Sequence, residues 1–207
     1  MRRANAPSGD AQTAHYTRFE VSRVSAITML NRDTILEALR RLSERLEARG
    51  IVGELNLLNG KAMVLAFQAR QSTKDVDAIF APAGIIRDEA RAVAEEMDLP
   101  VDWLNDAAKG FVSPKADFHG LADLDLSHLR VQVPTAEYLL AMKVMAARVG
   151  VGKESADKED IRFLIHRLEL TTTEQVFELV RRYYDPSRML PKSMYLVEEI
   201  LSEEGRQ

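Results

Sequence analysis

Residues 70–80 read RQSTKDVDAIF, a run that ends apolar and carries Asp75 and Asp77 one position apart. In a strand, residues i and i+2 project from the same face, so both carboxylates share one side while Val76, Ala78 and Phe80 take the other. Two like charges that close repel unless something cationic or water lies between them. An oxygen-only pair of this kind suits a hard divalent ion such as Mg²⁺ or Mn²⁺. The plainer alternative is a solvated strand end beside Lys74 and Arg70. The DxD strand therefore decides the fold, and the segments on either side of it decide between these readings.

Upstream, Ile35, Leu36, Leu39, Leu42 and Leu46 recur at helical spacing between Arg32 and Arg49, with Asn31 or Asp33 as a cap and Gly50 as a stop. A strand at about 54–58 runs into Asn59-Gly60, and KAMVLAFQAR follows as a compact apolar helix. Downstream, residues 85–97 repeat the amphipathic pattern through Ile86, Ala90, Val93 and Met97. LRVQV (129–133) is a third strand stopped by Pro134, and Thr135 caps a helix over 136–149 that ends at GVG. Further helices are expected at 157–168, 173–183 and 192–204. The expected class is therefore α/β, or α+β: a small mixed sheet flanked by helices, with a helical C-terminal part. Residues 1–30 read as a tail or extension, 31–134 as the α/β core and 135–207 as the helical region.

The totals exclude several classes. The chain has 207 residues, 46% of them hydrophobic and 29% charged, which suits one globular domain or one domain with an appended subdomain. It has no cysteine, so disulfides and thiolate metal sites are excluded, and its four histidines lack ligand spacing. The net charge of −4 argues against wholesale electrostatic capture of nucleic acid. No apolar run reaches the ~20 residues of a membrane span, and MRRANAPSGDAQTAH lacks the apolar core of a leader. No membrane association is expected, and the expected location is the cytoplasm.

Lys143 is out of place: its neighbours at three and four residues are Leu139, Leu140, Ala146 and Ala147, the middle of an apolar face. It either snorkels outward or meets a partner. In SADKEDIRFL, Asp157 and Asp160 open the next helix, where the macrodipole favours acids, and Asp157 shares a stripe with Ile161 and Leu164. A lysine, a carboxylate pair, a DxD strand and a glycine turn are the parts of a metal–triphosphate site. Trp103 in WLNDAAKGF either stacks a base with Lys109 nearby or fills the core. Arg181, Arg182, Arg188 and Lys192 make either an RNA-facing patch or a solvated face.

In order and spacing, NGKAM, then Arg70, Thr73, Asp75 and Asp77 as R-x-x-T-x-D-x-D, then LLAMKVMAAR, then ADKEDI resemble the AbiEii-type toxin branch of the nucleotidyltransferase superfamily over residues 34–185. That branch comprises minimal polymerase-beta-like domains found in abortive-infection and toxin–antitoxin systems. The resemblance implies phosphate binding at Gly60, with Lys61 beside it, and metal at Asp75 and Asp77. It further implies triphosphate neutralisation by Lys143, a hydrogen bond near the phosphates from Thr73, and completion of the site by Asp157 or Asp160. The implied reaction is attack by an acceptor hydroxyl, such as that of a tRNA 3′ end, on the α-phosphorus of a nucleoside triphosphate, with a cognate antitoxin as partner. Two positions depart from the pattern. Asn59-Gly60-Lys61 stands where Gly-Gly or Gly-Ser is usual, and Gln132 stands where many such transferases present a third carboxylate. Those departures leave open a catalytically degraded binding or regulatory protein on the same fold.

Overall fold

The computed structural model describes residues 30–58, 60–67, 71–73, 76–106, 112–121, 124–147 and 154–204. Asp75, Asn59, Lys74, Lys109 and Asp123 lie outside the described residues, as does the side chain of Lys61. Among the described residues, seven α-helices and seven short strands run in the order β1 (Leu30–Asn31), α1 (Arg32–Ala48), β2 (Gly53–Leu57), α2 (Gly60–Leu65), β3 (Ser72–Thr73), β4 (Val76–Ala81), α3 (Ala83–Met97), β5 (Leu104–Asn105), β6 (Phe118–Gly120), β7 (Leu129–Pro134), α4 (Ala136–Ala146), α5 (Glu154–Arg167), α6 (Thr173–Tyr183) and α7 (Pro191–Glu204). No described helix is long and apolar enough to cross a membrane.

Five strands form a mixed sheet in the order β5-β4-β2-β7-β6. β2 pairs antiparallel with β4 and parallel with β7. β1 and β3 pair separately. The alternation that sets Asp77 apart from its neighbours also sorts the sheet into two faces. Leu55, Leu57, Val76, Ala78, Phe80, Val131 and Val133 share one apolar core with α1 and α3. Gly53 allows the closest approach on that side. A Cβ there would meet the side-chain ends of Leu46 at 2.9 Å and of Ile86 and Leu129 at 3.1 Å each, so any side chain would force those three to shift.

α1 forms as its leucine spacing predicts. The Asn31 side chain caps it by accepting from the Thr34 N–H at 2.9 Å, and Gly50 leaves it with φ 65. Glu89 of α3 is buried but lies between Arg45 of α1 and Arg49, the C-cap of that helix, at 2.6 and 3.1 Å. That pairing ties the two helices together over the sheet. Trp103 is a core residue: it is fully buried and donates its Nε1–H to the Ala90 carbonyl at 2.8 Å.

A second core holds α4 to α7 together with Leu58, Ala62 and Met63 at and after the end of β2. α4 is buried from Tyr138 to Val144, as expected for a helix apolar all round. It ends at Ala146, three residues short of the expected boundary, and α5 starts at Glu154, ahead of it. Arg181, Arg182, Arg188 and Lys192 are exposed on the outside of this half. Arg181 pairs with Glu174 at 2.6 Å, and Arg188 lies over the Tyr184 ring.

Candidate active site

The outer face of the sheet is polar, which an ordinary one-sided sheet leaves to water. Register places its residues in rows. Asp77 of β4 pairs with Asn105 of β5, and its carbonyl accepts from the Leu58 N–H at 2.9 Å, where the chain leaves β2 for α2. In the next row Ile79 pairs with Asn56, and Asn56 with Gln132. Beyond that, Ala81 pairs with Glu54 and Glu54 with Arg130, whose side chains also form an ion pair at 3.3 Å. The face thus runs from Asp77 and Asn105, through two amides, to a charge pair.

The helical core borders the Asp77 end. Ile79, two residues on from Asp77, packs against that core, as does Phe118 of β6. Leu58 belongs to the core outright. Gly60 is the first residue of α2, two residues beyond Leu58, so the glycine turn and Asp77 belong to one corner of the fold. Asp77 is half-buried. Thr73 sits on β3 opposite Leu30 and is buried.

Lys143, Asp157 and Asp160 come together. Lys143 is only 5% exposed, and its ammonium lies 3.0 Å from Asp157 Oδ1 and 2.6 Å from Asp160 Oδ2. The Asp157 contact is a hydrogen bond, while the one to Asp160 Oδ2 is a charge contact without hydrogen-bond alignment. Lys143 therefore does not snorkel outward; the room above the small alanines is filled by carboxylates of α5. Two carboxylates against one ammonium leave a net negative charge, which falls at Asp157, the more exposed of the two acids at 27% against 2%.

One further cluster braces the helical half. Ser113 donates its N–H to the Tyr138 hydroxyl at 2.9 Å and its hydroxyl to the Tyr183 carbonyl. Tyr138 also packs edge-on against Phe118 at 5.5 Å and against Tyr183 at 5.1 Å. Burial pushes the hydroxyls of Tyr138, Tyr183 and Tyr184 above the usual tyrosine range, so all three stay neutral donors.

Gln132 is exposed on β7, and Asp125 lies exposed in the loop before that strand. Asn56 and Asn105 were not among the residues singled out from the sequence. The alternation in GELNL already turns Glu54 and Asn56 away from the core, whereas nothing in LN (104–105) announces a strand. Among the described residues no group of three or more His, Cys, Asp or Glu side chains is placed to hold a metal ion. What β4 does offer is carboxylate oxygen, a donor type suited to Mg²⁺ or Mn²⁺.

No family model matches this chain, and no curated protein does. Among solved structures it is similar to an antigenic nucleotidyltransferase-like protein from Paracoccidioides brasiliensis, at 15% identity and a TM-score of 0.45, over 83% of this chain and 95% of that one.

Proposed function

We propose that this protein is a nucleotidyltransferase that moves a nucleoside monophosphate from a nucleoside triphosphate to an acceptor hydroxyl. The observation that carries this reading is the polar outer face, where Asp77 stands in the corner formed by the start of α2 and the helical half. Asp75 and Asp77 would hold a divalent ion, which when bound would supply charge neutralisation for the phosphates and the leaving pyrophosphate. The chain's own groups do the rest. Gly60 lets phosphate oxygens approach the backbone at the head of α2, with Lys61 beside it and Thr73 nearby as a hydroxyl donor. Lys143 has three N–H donors; Asp157 accepts one, Asp160 makes a charge contact, and a remaining donor is assigned to phosphate. Asp160 then serves to fix the lysine, and Asp157 carries the residual charge at the rim of the site.

β7 offers an amide at Gln132, so the acceptor's proton passes to a β4 carboxylate or to water. From the resemblance of the four motifs we extend the reading to a tRNA 3′ end as acceptor. The same resemblance carries a growth-arresting role as a toxin in the cytoplasm, controlled by a cognate antitoxin. A second reading, a catalytically degraded binding protein, draws on two observations: Gln132 in place of a carboxylate, and a lysine already neutralised by its own helix neighbour.

The test incubates the full chain with Mg²⁺, each α-labelled NTP and total tRNA. Label transferred by the wild type and lost in Asp75→Ala and Asp77→Ala is the expected result. Transfer that persists in both variants refutes the assignment. Mg²⁺-dependent NTP binding without transfer selects the binding protein.

A further inference from the structure

Asn56 is the least explained residue on the polar face. It is half-buried, in the middle of a strand, where asparagine is a poor choice. Its side-chain Oδ1 is shut off from solvent with no hydrogen-bond partner. A buried acceptor left unmet is a standing cost, and a valine or threonine at this position would avoid it. Leu55 and Leu57 on either side already supply the apolar contacts of β2. Departures of this kind from what folding alone favours concentrate where a protein meets a ligand.

Its surroundings fit one. Gln132, exposed, stands beside it in register on β7. Asp77 lies one row along the sheet, ~7 Å at the strand rise of two residues, comparable to the span from a nucleotide's α-phosphate to its sugar and base. The Glu54–Arg130 pair closes the other end of the face. Between those charges the two amides offer neutral donors and acceptors. Reaching Asn56 Oδ1 takes a turn about χ2, a soft torsion.

We propose that Asn56 and Gln132 form the nucleoside-binding subsite of this face, with Asn56 accepting a hydrogen bond from a ribose hydroxyl or an exocyclic amine of the bound triphosphate. The proposal rests on the nucleotidyltransferase reading above. It makes Asn56 a binding residue rather than a catalytic one, and it explains why the fold tolerates an unmet amide.

The experiment measures thermal stability and NTP affinity by calorimetry on the full chain with Mg²⁺, for the wild type, Asn56→Leu, Asn56→Thr and Gln132→Leu. Asn56→Leu and Asn56→Thr should melt at or above the wild-type temperature, yet bind the preferred NTP about tenfold more weakly, the loss of one good hydrogen bond. Gln132→Leu should weaken binding by a smaller factor. The 2′-deoxy analogue, the 3′-deoxy analogue and, for a purine, the analogue without its exocyclic amine identify the donor. The one that supplies it binds wild type and Asn56→Leu alike. Wild-type affinity in both Asn56 variants overturns the inference. Under that outcome, Mg²⁺-dependent binding that Asp77→Asn abolishes leaves the enzyme reading standing. A wild type that binds none of the four NTPs overturns both.

Discussion

Helix α5 carries two ion clusters on opposite sides, and they illustrate different uses of charge. On one side Asp157 and Asp160 enclose Lys143 of α4 in the second core. On the other, Lys158 contacts Glu199 and Glu203 of α7 at 2.7 and 2.8 Å, and Arg162 reaches Glu159 and Glu203. The outer cluster has a plain structural reason: it fastens α5 to α7 at little desolvation cost. The inner one does not. An apolar trio would hold α4 to α5 at least as well, because taking three charges out of water costs several kcal/mol per ion before any attraction is gained. Charge kept in so unfavourable a place points to a use beyond the fold.

The sharpest way to break the comparison is Lys143→Met, which leaves Asp160 buried without its cation. It should cost about 3–5 kcal/mol of stability, read as a fall in the urea midpoint. Adding Asp160→Asn should recover part of that loss. If Lys143→Met unfolds like the wild type, the inner cluster is not the buried triad described here.

A smaller effect, of opposite sign, separates use from stability. Replacing the whole trio by Lys143→Met, Asp157→Asn and Asp160→Leu should restore wild-type stability or exceed it by about 1–4 kcal/mol. On the nucleotidyltransferase reading this variant nevertheless transfers no nucleotide. A triple variant that is stable and fully active would assign the cluster to folding alone.

Sequence reasoning reached these residues unevenly. Lys143 announces itself, because a charge on a face of leucines and alanines conflicts with helical periodicity. That Asp160 lies deeper than Asp157 was not legible. The stripe of Ile161 and Leu164 points to Asp157, but the rotation of α5 about its axis is set by packing against both α4, the helix before it, and α7, which begins more than twenty residues after it ends. α1, α3, α6 and β7 were legible because each repeats a period long enough to count. β1, β3, β5 and β6 have two or three residues each, too few for any period, and exist because a neighbouring strand offers hydrogen bonds. The place of Asp77 on the side of β4 away from the apolar core was legible from the alternation. The amide row beside it was not, since Asn56 acquires meaning only when β7 brings Gln132 alongside.

The smallest expected effects belong to the outer cluster. Arg162→Ala should lower stability by about 0.2–1 kcal/mol, and less at high salt, as for other partly exposed pairs. Its pH dependence has a definite sign. A hydrogen bond from Lys158, followed by the charges of Lys158 and Arg162, holds the Glu203 carboxyl below its usual range. A carboxylate with a lowered folded pKa stabilises above its unfolded pKa, and that contribution fades as pH falls through the folded value. The partner effect runs the other way: hydrogen bonds to Glu199 and Glu203 raise the Lys158 ammonium, so its contribution is complete below the ordinary lysine pKa and fades only as pH rises past the folded one. The small gap in urea midpoint between wild type and Glu203→Gln should therefore hold between about pH 5 and 9 and close below about pH 4. It should shrink again in 1 M salt. A gap that survives both acid and salt would mean that the outer cluster, like the inner one, is shielded from water, and the contrast between the two sides of α5 would fail.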